Sequence, residues 1–311
     1  MPNVVDFQKV TLSSGQNDNH VIPIYSWSPS GQAKAIIQVL HGLGEHALRY
    51  HQVAKKFTEN GYSVIIHNQR GHGETISPSD LGHFSDTLGW EKLISDCRTV
   101  QKYSLEQSPQ IPLILLGHSM GSYIAQSFVM RHPKDTNALI LSASTWPQKK
   151  KLKLITILAK FEIWRRGIRT KSALLNKLGF SDFNKNFAPN RTSFDWLSRD
   201  EQIVDDYMTD PLCGFQSSNQ LWLDLINGLI EISHKDSLKK IPSSLPILIT
   251  GGELDPVGGS AGLKKLTANY QQTNHNQVTL KIYPQARHEI LNEINKAEVM
   301  ENILSWISKY I

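Results

Sequence analysis

An α/β chain with a mostly parallel, doubly wound sheet and a helical cap inserted after the sixth strand is what the sequence predicts, and three observations predict it. Short apolar runs alternate with helix-length amphipathic stretches up to about residue 144. The alternation lapses over residues 145–240, where the periodicity is helical and no strand-like run occurs. It resumes with an apolar run at 245. Strands alternating with helical stretches indicate parallel strands joined by crossover helices. The chain therefore divides into a first core part at 1–144, a helical cap at 145–240 and a second core part at 241–311. At 311 residues and 40% hydrophobic content it can bury a full core.

Residues 35–40, AIIQVL, read as the third strand and run into HGLGEH at 41–46. A helix is expected over about 49–60 and a strand at 64–66, leading into NQRGHGET at 68–75. A second helix near 89–105 precedes a strand at 113–116, then GHSMGS at 117–122, a helix over about 120–131 and a strand at 138–141. Beyond the cap, LPILIT at 245–250 and VTLKIY at 278–283 read as buried strands, and a helix is expected over about 295–310.

The stretch around 119 is a G-x-S-x-G turn between a strand and a helix, the context that makes Ser119 a candidate nucleophile. The motif alone recurs by chance in structural turns, so the strand before it and the helix after it carry the reading. Such a turn leaves no room for side chains two residues either side, which Gly117 and Gly121 satisfy. The helix N-terminus that follows favours an oxyanion. A serine of this kind needs an acid and then a histidine, each on a loop after a later strand. Asp255, at the tip of GGELDP, is the candidate acid in preference to Glu253, which sits closer to the strand end. His288, after the last strand, is the candidate general base. Two backbone N–H donors must face the developing negative charge, and those of Met120 and Leu43 are expected to do so. His41, His118, Leu221 and Trp222 are candidate substrate contacts, with the apolar stretch 221–230 lining the pocket or packing the cap onto the core.

HGLGEH, NQRGHGET, GHSMGS, GGELDPV at 251–257 and RHEILNE at 287–293 together resemble the monoacylglycerol lipase and lysophospholipase branch of the α/β-hydrolase superfamily. They are also similar to the serine aminopeptidase S33 group. The resemblance covers nearly the whole chain, and residues 190–215 resemble the cap of lysophospholipase-like members. Asn68 departs from it, since relatives commonly carry Asp there; the turn reads as structural, with Arg70 tying the loop down. The resemblance implies the α/β-hydrolase fold and a serine ester hydrolase acting through an acyl-enzyme on a small-molecule lipid ester with one acyl chain, with no cofactor. Two alternatives stay open. An aminopeptidase would need a cap acid to hold a free amine, for which Asp200, Glu201, Asp205 and Asp206 are available. A lipid-binding or scaffold protein would keep the fold without turnover.

Charge is distributed unevenly. Residues 146–171 hold nine Lys and Arg against Glu162 alone, a net +8, whereas the whole chain is +5, so the remainder is −3. Leu154, Ile155, Ile157, Leu158, Phe161 and Trp164 recur there at helical spacing, which predicts one apolar face with a basic rim; two readings stay open, peripheral contact with an anionic membrane through 146–171, or an apolar face packed over the pocket with its charges solvated. No nucleic-acid-binding motif accompanies the patch, so no nucleic-acid partner is expected. His41 with His46, and His67 with His72, do not read as metal ligands, because neither H-E-x-x-H nor a Cys and His cluster is present. Cys97 and Cys213 give no disulfide framework. With no signal-like start and no run of eighteen apolar residues, the expected location is cytoplasmic, peripheral to membrane.

Overall fold

The structure is a computed structural model that describes residues 7–15, 20–74, 78–180 and 182–311. The first six residues, read above for a signal-like start, and Thr75 of NQRGHGET lie outside the described residues. Eight strands form one sheet: β1 Gln8–Ser13, β2 Val21–Trp27, β3 Ile36–Leu40, β4 Ser63–His67, β5 Leu113–His118, β6 Ala138–Ser142, β7 Ile247–Gly252 and β8 Val278–Tyr283. Their spatial order is β1-β2-β4-β3-β5-β6-β7-β8. The β1/β2 and β2/β4 pairs are antiparallel and the remaining pairs parallel.

Helices cover both faces of the sheet, so every residue of β3, β5, β6 and β7 is buried, which is why these strands read as continuous apolar runs. Side chains alternate between faces at period two. Leu115 joins the core under α2 Gly89–Gln107, α3 Met120–Arg131 and α9 Gly259–Gln271, whereas its neighbours Ile114 and Leu116 join the opposite core under α1 His51–Glu59 and α10 Lys296–Tyr310. Among the described residues between β6 and β7 no strand occurs. The chain there forms α4 Lys149–Arg166, α5 Ala173–Phe180, α6 Glu201–Thr209, α7 Asn219–Ile232 and α8 Lys235–Leu238. Helix α7 begins at Ser218, whose hydroxyl accepts the Leu221 N–H at 3.1 Å, and it packs against α3 and α4.

The expectation of one apolar face on α4 needs correction. Ile155 and Leu158 pack inward with Leu152 and Ala159, but Leu154, Ile157, Phe161 and Trp164 point out and are exposed, from 49% at Phe161 to 80% at Trp164. At 100° per residue the exposed four form a second stripe, flanked on one side by Lys149, Lys153 and Lys160. Among the described residues no helix is long and apolar enough to cross a membrane.

Candidate active site

Ser119 stands between β5 and α3 with φ 51° and ψ −120°, a conformation that non-glycine residues rarely adopt. Its N–H donates to the Ser142 carbonyl on β6 at 2.9 Å. Close approach of the backbone explains the flanking glycines. A Cβ on Gly121 would lie 2.0 Å from the Leu40 carbonyl oxygen, and one on Gly117 would lie 2.3 Å from that of Gly121. The turn therefore forces the serine out at the carboxyl ends of the parallel strands, with α3 starting directly behind it.

Asp255 and His288 come together from the loops after β7 and β8. His288 Nδ1 lies 2.8 Å from Asp255 Oδ1, which also accepts the Val257 N–H at 2.9 Å. The rival Glu253 is exposed and accepts the Gln285 N–H instead. Burial pushes the His288 pKa down, but Asp255, helped by Glu289 and Glu45, outweighs it and holds the value above that of ordinary imidazole. The ring is packed between Trp196, centroid distance 5.1 Å, and His118, 4.9 Å, while the backbone N–H of His288 donates to the Trp196 carbonyl at 3.3 Å. His118 itself is held neutral, its pKa lowered by burial and then by His288 to about 3.

The loop after β3 lies against the serine: a Cβ on Gly42 would be 3.3 Å from that of Ser119. The NQRGHG turn braces this loop. Asn68 Oδ1 accepts the Ala47 N–H at 2.9 Å, and the Gln69 N–H donates to His41 Nε2 at 3.0 Å. Arg70 is fastened to Asp96 of α2 through two hydrogen bonds, at 2.5 and 3.0 Å. Asn68 and Arg70 thus act as ties within this turn.

A pocket of about 780 Å³, its open mouth included, has Ser119, His288, Leu43, Met120, His118 and Trp222 in its wall. Asp255 is buried behind the imidazole. Two expected substrate contacts are corrected. His41 is fully buried outside the pocket, with Nδ1 2.8 Å from the Gly42 carbonyl and Nε2 taken by Gln69. Leu221 is fully buried in the joint between cap and core. The sequence reading missed Tyr123, Phe180, Phe183, Trp196 and Tyr207, which complete an aromatic wall. Leu225 and Leu229, also in the wall, follow Trp222 at helical spacing and could have been found that way.

The four cap acids do not line this pocket. Asp200 pairs with Lys296, Arg191 reaches Glu201 and Asp205, and Asp206 accepts from Gln202. The acids that do line it, Glu45 and Glu289, are both bound by Arg49. Among the described residues, one group of side chains could converge on a metal ion: His46, Asp210 and Cys213, with ligand atoms within 4.8 Å of one another. His46 Nε2 and Asp210 Oδ2 are already 2.7 Å apart there, joining core to cap.

The chain is similar to several known proteins over most of its length. Residues 31–295 match the family described as serine aminopeptidase, S33. A monoacylglycerol lipase of Mycolicibacterium smegmatis is 27% identical over 288 residues, covering 92% of each chain. A monoglyceride lipase of Rattus norvegicus is 29% identical over 292 residues, covering 92% of this chain and 86% of its own. The crystal structure of a highly thermostable carboxyl esterase from Bacillus coagulans, in complex with glycerol, superposes with a TM-score of 0.90 at 29% identity, covering 98% of both chains. The matched span takes in both core parts and the cap, and on it the chain belongs to the serine aminopeptidase S33 family of α/β hydrolases.

Proposed function

We propose that the protein hydrolyses the carboxylic esters of single-chain lipids, of monoacylglycerol or lysophospholipid type, through an acyl-enzyme on Ser119. His288 takes the serine proton as Oγ attacks the ester carbonyl, and Asp255 holds the imidazole in the tautomer that leaves Nε2 free to accept it. The Met120 and Leu43 amides donate to the tetrahedral oxyanion. His288 then protonates the departing alcohol, and water, activated by the same base, releases the fatty acid. The observation that carries the reading is the buried 2.8 Å pair of His288 and Asp255 opening, with Ser119, into a pocket walled by aromatic and aliphatic side chains. The lipase and esterase relatives support the ester as the bond cleaved.

The aminopeptidase alternative draws less support, because a free α-amine would need an unengaged carboxylate facing the pocket, and both pocket acids are occupied by Arg49. A panel of monoacylglycerols, lysophospholipids and aminoacyl anilides tests the choice. The esters are expected to give kcat/KM at least tenfold higher, since an apolar wall favours each buried methylene by about 0.8 kcal/mol. Faster aminoacyl hydrolysis would reverse the assignment.

We further propose that α4 rests the cap on anionic membrane from the cytoplasmic side. The exposed stripe of Leu154, Ile157, Phe161 and Trp164, flanked by lysines, supports this: apolar side chains enter the headgroup boundary while the cations meet lipid phosphates.

A further inference from the structure

The two acids in the wall of the catalytic pocket, Glu45 and Glu289, belong to a buried ionic group to which the proposed chemistry assigns no step. Arg49 donates through Nη1 and Nη2 to the two carboxylate oxygens of Glu289 at 2.6 and 2.8 Å, and through Nη1 to Glu45 Oε2 at 2.9 Å. Side-chain exposure is 10% for Arg49, 4% for Glu45 and 5% for Glu289. The other Glu45 oxygen accepts the Gly42 N–H and, at 2.9 Å, the Tyr50 hydroxyl. The guanidinium lies 4.8 Å from the ring centroid of Tyr207 in the cap. Burying such a triad is expensive and adds little net stability, so stability alone does not account for it.

Its connections suggest what does. Glu45 holds the peptide N–H of Gly42, so it sets the orientation of the loop that carries the Leu43 amide. Glu289 is the residue after His288, and its Oε2, which accepts from Arg49 Nη2, also accepts from Asn292 Nδ2 at 2.9 Å. Arg49 therefore bridges, through a single rigid fork, the loop of the oxyanion donor and the loop of the base, which are 240 residues apart in sequence.

We propose that Arg49 is a positioning residue: it locks the oxyanion loop and the imidazole loop in one mutual geometry, so that donor and base reach the reacting carbonyl together. The inference rests on the serine hydrolase reading above. Displacement of reacting groups by about 1 Å costs on the order of 10² in rate, and loss of an oxyanion donor about 10² to 10³. Lysine keeps the charge but cannot span both carboxylates.

The test uses the full chain and a soluble short-chain ester, with turnover normalised to sites titrated by a fluorophosphonate. Arg49→Gln is expected to lower kcat per titrated site about 10²-fold with KM within about threefold, and Arg49→Lys to recover part of the loss. A merely structural role would lower the number of titratable sites and leave kcat per site unchanged, and that result overturns the proposal. So does a raised KM at unchanged kcat, which would make Arg49 a substrate contact. If Arg49→Gln does not fold, Glu289→Gln serves. The charged or titratable groups acting on His288 are Asp255, Glu289 and Glu45, with His118 against its ring. Because Glu289 raises the imidazole pKa, Glu289→Gln should move the acid limb of kcat/KM to lower pH and lower kcat about tenfold. An unmoved limb with parental kcat overturns the proposal. The parent is read first: absence of fluorophosphonate labelling there would overturn the hydrolase reading itself, whereas a labelled parent with an indifferent Arg49→Gln defeats this inference alone.

Discussion

Replacing Gly179 by alanine should shorten the acyl chain that the enzyme accepts. Gly179 lies near the end of α5, in the wall of the catalytic pocket and also of an apolar chamber beneath α4 and α5 bounded by Leu152, Ile155, Leu175, Leu178 and Ile226. A Cβ there would stand 2.3 Å from Trp222 Cη2 and 2.9 Å from Cζ2, so the indole must move. It can do so, because its Nε1 has no hydrogen-bond partner among the described residues and packing alone holds the ring. Overpacking costs about 1–3 kcal/mol, and removing a glycine from a helix returns about 1 kcal/mol, so the fold survives. A displaced indole closes the passage between pocket and chamber. If about four methylenes lose their burial at about 0.8 kcal/mol each, the loss is about 3 kcal/mol, on the order of 10² in kcat/KM. The assay is kcat/KM across p-nitrophenyl esters from butanoyl to hexadecanoyl. Parent and variant should agree within about threefold at the short end and diverge with length. Parallel profiles at every length would refute the reasoning.

Three further outcomes follow from the same structure. Since the pKa of His288 is raised and the base must be neutral, kcat/KM should climb with pH about a midpoint above roughly 6.5, and Asp255→Asn, which removes the main raising partner, should lower that midpoint; a parental midpoint below 6 contradicts the His288 and Asp255 pairing. His67, His72 and His118 are fully buried and neutral, with pKa values lowered chiefly by burial to about 3, 4 and 3. The unfolded chain takes up their protons as pH falls below about 6.5 while the folded chain does not, so each should forfeit about 2 kcal/mol of stability by pH 5. His288 works in the opposite sense, its raised pKa adding stability on acidification, so urea midpoints should show a net fall between pH 7 and 5, and a flat profile would contradict the burial of these imidazoles. Finally, Phe161→Ala with Trp164→Ala should weaken co-sedimentation with anionic vesicles and leave turnover of a soluble ester unchanged, and undiminished vesicle binding would defeat docking through α4.

Much of the candidate site was legible because it is written in local constraints. The crowding at Gly117 and Gly121 is a property of the turn itself, and Asp255 and His288 follow strands that the pattern marks clearly. What escaped depends on distant partners. His41 could have turned either way from its own neighbourhood; Gln69, across the next strand, decides it. Trp196, Phe183 and Tyr207 reach the pocket from cap segments with no shared periodicity, so nothing in the spacing marks them as one wall. The apolar residues of α4 were visible, but which of them would be covered depends on how α7 docks against that helix. Glu45 and Arg49 stand four residues apart, an ordinary local pair, and only the fold brings Glu289 to complete it.

The claim on which the rest depends is that Ser119 becomes covalently acylated. Intact mass spectrometry after treatment with a fluorophosphonate, followed by peptide mapping, tests the nucleophile, because the phosphonyl adduct forms on the oxygen that would carry the acyl group. One equivalent of adduct should form, map to Ser119 within the GHSMG turn, and abolish ester hydrolysis in proportion to labelling. Ser119→Ala should take up no label and lose roughly 10⁴ to 10⁶ in kcat. An adduct on another residue, or a Ser119→Ala variant that keeps more than about a tenth of the esterase activity, would contradict the account.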